Sequence, residues 1–472
     1  MPVQTFFWHD YETFGAEPRR DRPAQFAGIR TDAELNEIGA PVELFCQPTP
    51  DWLPDPQSCL ITGITPQQCL AQGMPEHRFA AEVERVLAEP GTIGVGYNSI
   101  RFDDEVTRFL FWRNLIDPYA REWQNECGRW DLLDTVRTAF ALRPEGIEWP
   151  VNDEGRHSFR LEHLTAANGL AHESAHDAVS DVRATIALAR LIRARQPRLF
   201  DFCASLRKKD RVQAEIGSSP RPLLHVSGMY GAERGHLAVV WPMAWHPTNR
   251  NELIVWDLAH SPEELFALDT DTIRQRMFTR AADLPEGVTR LPIKSIHINK
   301  SPIVISNLRT LDPARAERWQ IDLDLCQRHA GAFAQAPQLD WAAIYARPAM
   351  DTPDVDEDLY GGFIGNGDRR TLNRLREMDG TALANARLNF EDERLEELVF
   401  RYRARNFPET LSDDDAGRWQ QLRHERLIDG RDGYRSLAQL ADQIDVLSED
   451  ANDRALGILE ALYDYAESIA PV

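Results

Sequence analysis

The 472-residue sequence contains no CxxC pair and no finger-type spacing of cysteine and histidine; its six cysteines stand apart at Cys46, Cys59, Cys69, Cys127, Cys203 and Cys326. That scatter argues against a thiolate zinc site and against a disulfide framework, and it favours free thiols in a reducing compartment. No run of about 18 apolar residues is present, which leaves no candidate membrane helix. No basic-then-apolar leader opens the chain, so the expected location is the cytoplasm. Internal repeats and low-complexity segments are absent as well. A basic excess is also missing: the formal net charge is −22, which taken alone speaks against a polyanionic partner. The charge is unevenly spread, however. Arg193, Arg195, Arg198, Arg207, Lys208, Lys209 and Arg211 crowd one stretch, while Asp413 to Asp415 form an acidic run. A basic channel inside an acidic shell satisfies both observations.

What is present is the composition of a folded protein, 43% apolar with 12 tryptophans, and a length that exceeds what one core usually organises. The first 200 residues alternate strand-like and helix-like segments. TFFWHDYET, AQFAGIRTD and the stretch around PVELFC read as an antiparallel meander. Thr65-Pro66-Gln67-Gln68 is a helix start, with Thr as N-cap and Pro at the first helical position. GTIGVGYN reads as a buried strand, followed by helical DDEVTRFLFWRN, helical WDLLDTVRTAFAL and a long helix from about Ala178 to Arg195. This is an α/β layer. From about Pro220 to Pro348 the texture turns to β-branched and aromatic strands (LLHV, HLAVVWPMAW, NELIVWDL, IKSIHI, PIVIS), and after Met350 helical periodicity takes over. The expected domains are therefore 1–197, 198–349 and 350–472.

Chemistry concentrates at element ends. Asp10 and Glu12 lie one residue apart behind the apolar Thr5 to Trp8, so in a strand they share one face while Tyr11 takes the other. Asp103 follows the Gly-rich strand, and Asp181 lies in the first turns of the long helix. Val182, Ile186, Leu188, Ala189 and Ile192 form a broad apolar stripe whose border includes position 181, which turns Asp181 toward the sheet. Converging carboxylates repel one another unless divalent cations neutralise them, and oxygen-only donors select hard ions such as Mg²⁺ or Mn²⁺. His176 precedes Asp181 by five residues, about 140° around a helix. It is expected in the loop ahead of the helix, where an imidazole can take a proton from water.

Asp10-x-Glu12-Thr13, Asp103 and His176-x4-Asp181 together resemble the motif set of the DEDDh 3′→5′ exonucleases, which share a ribonuclease-H-like fold. The phrases HDYETFG, RPAQFAGIRTD, LITGITP, GYNSIRFDDEVTR, ALRPEGIEWP, SFRLEHLTAANG, HVSGMYG, HINKSPI and YRARNFP narrow the resemblance to the bacterial exodeoxyribonuclease I family, and they span His9 to Pro408. Generic superfamily members have His-Asn-x-x-Phe-Asp at the third motif, whereas here three residues separate Asn98 from Phe102-Asp103. The narrower family shares that departure.

The resemblance implies an α/β exonuclease domain, a small barrel of the Src-homology type and an all-helical C-terminal domain that enclose single-stranded DNA. It implies two Mg²⁺ ions on Asp10, Glu12, Asp103 and Asp181, with Mn²⁺ able to substitute, and His176 as general base. It places Glu12, Thr13 and Arg160 at the terminal nucleotide and Arg108, Tyr119, Trp123, Arg137 and Lys300 along the strand. A partner is implied too: the acidic C-terminal tail of single-strand DNA-binding protein, on a site to which Arg143 and Phe202 correspond. The implied enzyme works as a monomer in DNA repair. Two other readings remain at this point, an RNA-degrading relative and a non-catalytic single-strand binder.

Overall fold

The β-branched and aromatic residues of TFFWHDYET, alternating in side, form strand β1 (Thr5–Thr13). Phe7 and Tyr11 pack on Phe26 of β2 (Pro23–Thr31), with ring centroids 6.1 Å and 4.8 Å apart. A Cβ at Gly28, which pairs with His9, would lie 2.3 Å from the Phe7 ring, so the close packing of that ring requires glycine there. β2 pairs in turn with β3 (Val42–Phe45), which completes the expected antiparallel meander. β4 (Thr92–Gly96) lies parallel to β1 on its other side, and with β5 (Gly128–Asp131) at the edge the sheet order is β3-β2-β1-β4-β5.

In the computed structural model, which describes residues 2–171, 178–346 and 352–471, the chain divides into two units. The first comprises Met1–Gly128, His172–Arg183 and Asp351–Val472; the second comprises Arg129–Ala171 and Ala184–Met350. The first unit carries helices α1 (Pro56–Thr62), α2 (Pro66–Gln72), α3 (Glu76–Leu87) and α4 (Asp103–Arg113). Thr65 caps α2 by accepting from the Gln68 N–H, as its sequence predicts. α3 was not anticipated, although Phe79, Ala80, Val83, Val86 and Leu87 repeat with helical spacing and are buried. Its N-cap is Pro75, which has no side-chain oxygen to announce the start.

The helical tail is not a separate body. Its helices Arg394–Asn406, Asp413–Leu427, Leu437–Ser448 and Asp453–Ser468 share two apolar cores with the N-terminal segment. One core joins Phe14, Trp52, Leu53 and Cys59 to Leu427, Leu440, Leu459 and Leu462. The other joins Phe109 and Trp112 to Leu375, Leu395 and Leu398. A buried ionic cluster joins the same segments. Arg405 reaches Asp51 at 2.7 Å and Asp356 at 2.9 Å, Arg426 reaches Asp356 at 2.7 Å, and Arg401 reaches Asp354 at 2.6 Å. Burial alone would raise the carboxyls of Asp51 and Asp356, but the surrounding guanidiniums hold both well below the usual range.

The second unit holds α5 (Leu132–Leu142), α6 (Leu161–Ala167), α8 (Pro197–Ser205) and α9 (Lys209–Ile216). α7 (Ala178–Arg195), with the bounds expected from sequence, begins in the first unit and continues into the second. Five strands, β6 (Leu223–Val226), β7 (Leu237–Trp245), β8 (Glu252–Asp257), β9 (Ile293–His297) and β10 (Ile303–Ile305), form an antiparallel sheet in the order β10-β6-β7-β8-β9. A bulge between Pro242 and Ala244 interrupts the β7–β8 ladder, where proline cannot donate. Among the described residues no helix is long and apolar enough to cross a membrane.

The ionic cluster makes two linked predictions. Its depressed carboxylates stabilise the fold fully above the unfolded-chain value of about 3.9, and that stabilisation is lost as pH falls through the lower folded values. Arg405→Met, which strands Asp51 and Asp356, should lower the unfolding free energy at pH 7 by about 3–5 kcal/mol. It should also flatten the acid limb of a plot of urea midpoint against pH. An unchanged midpoint would mean that the apolar cores alone hold the tail.

Candidate active site

β1 runs through Asp10 and Glu12 rather than ending before them, because β2 pairs with it as far as Thr13, with a register shift between Glu12 and Thr13. On the other side pairing with β4 stops at Trp8, opposite Val95. Beyond that point β1 has an open flank, and α4 enters it. The Tyr11 backbone N–H donates to Asp103 Oδ1 at 3.1 Å, and Thr107 Oγ1 bonds the Tyr11 hydroxyl at 3.0 Å and the Asp103 carbonyl at 2.8 Å. The first turn of α4 is thereby pinned to the segment that carries the first two carboxylates.

Asp10, Glu12 and Asp181 meet: a carboxylate oxygen from each lies within 4.8 Å of the others. Glu12 is buried, while Asp10 and Asp181 are half-buried. Val182, Ile186, Leu188, Ala189 and Ile192 are all buried along α7, so the apolar stripe read from the sequence anchors the helix whose first turn presents Asp181. Burial and the charge of Asp181 push the Asp10 carboxyl up to about 8. Burial and the charges of Asp10 and Asp104 push Asp103 well above the ordinary range. A set of oxygen donors in which carboxylates raise one another's pKa fits a hard divalent cation and fits zinc-type thiolate chemistry poorly. Asp104 is not part of this set, since Arg121 takes its carboxylate at 2.6 Å with both side chains buried. His176 lies outside the described residues.

The other predicted positions divide between the two units. In the first, Thr13 is buried with its hydroxyl on the Gly15 carbonyl at 2.6 Å. Arg108 is only 4% exposed; its guanidinium bridges Glu122 at 2.7 Å and Glu105 at 2.8 Å and lies over the Tyr119 ring. Trp123 stands 65% exposed. Tyr360 and Phe363, not anticipated from sequence, complete this aromatic face: Arg108 donates to the Tyr360 hydroxyl, and Phe363 lies 6.0 Å from Tyr119. In the second unit Arg137 pairs with Asp134 at 2.7 Å, exposed Arg160 pairs with Glu162 at 2.6 Å, and Lys300 closes the turn after β9. Arg143 and Phe202 line one pocket of about 410 Å³ together with Arg198, Glu215, Ile305 and Ser306. Arg198 was legible, since it lies four residues before Phe202 on α8 and so on the same face.

Residues 7–189 match the family model for an exonuclease, residues 207–347 that for the exonuclease I SH3-like domain, and residues 353–469 that for the exonuclease I C-terminal domain. These define the class: an exonuclease with a ribonuclease-H-like α/β domain, an SH3-like domain and a helical C-terminal domain. Exodeoxyribonuclease I of Escherichia coli K12 is 47% identical over 98% of both chains, and that of Haemophilus influenzae is 43% identical over 98% of both. Exonuclease I from Methylocaldum szegediense superposes with a TM-score of 0.93 at 47% identity over 99% of each chain. E. coli exonuclease I solved with a dA16 oligonucleotide gives 0.93 at 45% identity, covering 99% of this chain and 100% of that one. The chain belongs to the exodeoxyribonuclease I family.

A carboxyl whose folded pKa is raised opposes folding at neutral pH. In EDTA, Asp10→Asn should therefore raise the melting temperature, by the equivalent of about 1–3 kcal/mol. Adding a divalent cation should stabilise the wild type and not this variant. A lower melting temperature in EDTA would make Asp10 a structural residue.

Proposed function

We propose that the chain hydrolyses single-stranded DNA from its 3′ end to 5′-mononucleotides in a divalent-metal-dependent reaction, acting in the cytoplasm as a monomer in DNA repair and recombination. The observation that carries this reading is the meeting of Asp10, Glu12 and Asp181 within 4.8 Å beside Asp103, in a chain of the exodeoxyribonuclease I family. Asp10, Glu12, Asp103 and Asp181 would hold two Mg²⁺ ions, for which Mn²⁺ can substitute. When bound, such ions neutralise and polarise a phosphate undergoing in-line displacement. His176 takes the proton of the attacking water. Glu12, Thr13 and Arg160 hold the terminal nucleotide. Trp123 and Tyr119 offer faces on which any base stacks, while Arg137 and Lys300 meet phosphates. Arg108, already committed to two carboxylates, orders the Tyr119 face.

Three functional segments, 1–197, 198–349 and 350–472, are proposed, supported by the three family-model matches. E. coli exonuclease I has been solved with single-stranded oligonucleotides and in a zinc-bound DNA complex, and an exonuclease I has been solved in a complex with SSB-Ct. By analogy, the pocket holding Arg143 and Phe202 receives the acidic C-terminal tail of single-strand DNA-binding protein.

Labelled single-stranded DNA and RNA of equal length, incubated with Mg²⁺ and then with EDTA, separate this reading from its rivals. DNA-selective, EDTA-sensitive release of mononucleotides is expected; binding without cleavage would indicate a scaffold, and equal RNA cleavage a different substrate. Asp181→Ala should abolish turnover, and His176→Ala should reduce it by about 10²- to 10⁴-fold with metal affinity intact.

Substrate affinity supplies a separate check on the conflict with a net charge of −22. In Ca²⁺, anisotropy should show single-strand affinity falling with salt at a log–log slope of about −0.7 per phosphate neutralised. Arg137→Ala should flatten the slope, and Trp123→Ala should weaken binding equally at every salt concentration. A slope of zero, or equal affinity for duplex DNA, would contradict a basic single-strand path.

A further inference from the structure

The pocket that holds Arg143 and Phe202 also contains a carboxylate of the chain itself. Glu215, in the last turn of α9, accepts from the Ser306 backbone N–H at 2.9 Å and from Ser306 Oγ at 2.7 Å, just beyond β10. The pocket that contains this pair is lined as well by Arg143 and Arg198 and by the apolar Leu199, Phe202 and Ile305. Arg143 is itself positioned, donating to the Leu142 carbonyl and, at 3.2 Å, to the Thr310 carbonyl. A backbone N–H and a hydroxyl converging on one point, in a pocket with guanidiniums and apolar side chains, are what a terminal carboxylate with an apolar side chain requires. Here the oxygen that sits on those donors belongs to Glu215.

We infer that Glu215 is an internal competitor for acidic peptides, occupying the Ser306 donors and opposing an incoming carboxylate by like-charge repulsion. The inference rests on the reading of this pocket as the site for an acidic tail. Its consequence is selectivity. A ligand bearing a single carboxylate must displace Glu215 with little in return, whereas a tail with several acidic groups and an apolar end gains from Arg143, Arg198 and the apolar lining as well. Weak anionic peptides are thereby rejected by an unfavourable contact rather than by the lack of a favourable one. The competing explanation is that Glu215 only ties α9 to the end of β10, a role that needs its acceptor oxygen and not its charge.

The two explanations separate in a binding experiment on the full chain. The probe is a fluorescein-labelled synthetic peptide of aspartates ending in phenylalanine with a free carboxylate, followed by anisotropy at low salt. Glu215→Gln retains an acceptor for Ser306 and removes the charge; it should bind about three- to tenfold tighter than the wild type, the effect of one like charge withdrawn from a partly solvated site. Glu215→Ala should tighten binding in the same direction, and melting curves of both variants should show an intact fold. Arg143→Ala should weaken binding in every background. If Arg143→Ala weakens binding while both Glu215 variants bind as wild type or worse, Glu215 is a tie and the inference fails with the site reading left standing. If Arg143→Ala changes nothing, the pocket is not the peptide site and both fall together.

Discussion

Carboxylates forced together on one face of a strand repel, and much of the first unit can be understood as the structure that holds them there. Asp10 and Glu12 are brought together by the two-residue period of β1, a covalent constraint that no side-chain rearrangement relieves. Phe7 and Tyr11 on the opposite face lock the strand against Phe26. Asp103 is fastened by the Tyr11 N–H, and Asp181 is carried in by the buried stripe of α7. Burial first, and the neighbouring charges after it, raise the carboxyls of Asp10 and Asp103. Such strain is tolerated when surrounding packing over-determines the geometry, and it becomes useful when a cation relieves it.

The far end of the chain packs on this same unit through other residues. The tail helices contribute to two cores with the N-terminal segment, and Arg401, Arg405 and Arg426 bury their charges against Asp51, Asp354 and Asp356. A buried ion cluster is a poor source of net stability compared with apolar packing, but it is intolerant of partial removal and of misregister. Other arginines are likewise committed to carboxylates inside the fold, as Arg108 is to Glu105 and Glu122, Arg113 to Glu76 and Arg121 to Asp104.

Legibility in the sequence followed the range of the interactions involved. The strands of both sheets other than β5, the capped start of α2 and the extent of α7 were readable because alternation, caps and apolar stripes are local properties; β5 (Gly128–Asp131) is too short to alternate, and its Trp130 and Asp131 read as the start of the helix that follows. α3 escaped because its start has no capping side chain, although its periodicity is plain. Arg108 shows the limit: its contact with Glu122, 14 residues away, is one that no local pattern announces.

By itself the sequence determined that Asp10 and Glu12 share a face, that Asp181 borders an apolar helix stripe, and that the chain passes from an α/β segment through a β-rich one to helices, since each follows from periodicity along a few residues. Only the tertiary structure decided that Asp181 reaches Asp10 and Glu12, that Asp104 belongs to Arg121 while Asp103 turns to β1, and that the tail shares its cores with the beginning of the chain. It also placed Glu215 on the Ser306 donors beside Arg143 and Phe202. Contacts between residues tens to hundreds of positions apart depend on how completed elements pack, and no local pattern encodes which of two neighbouring aspartates a distant arginine will meet.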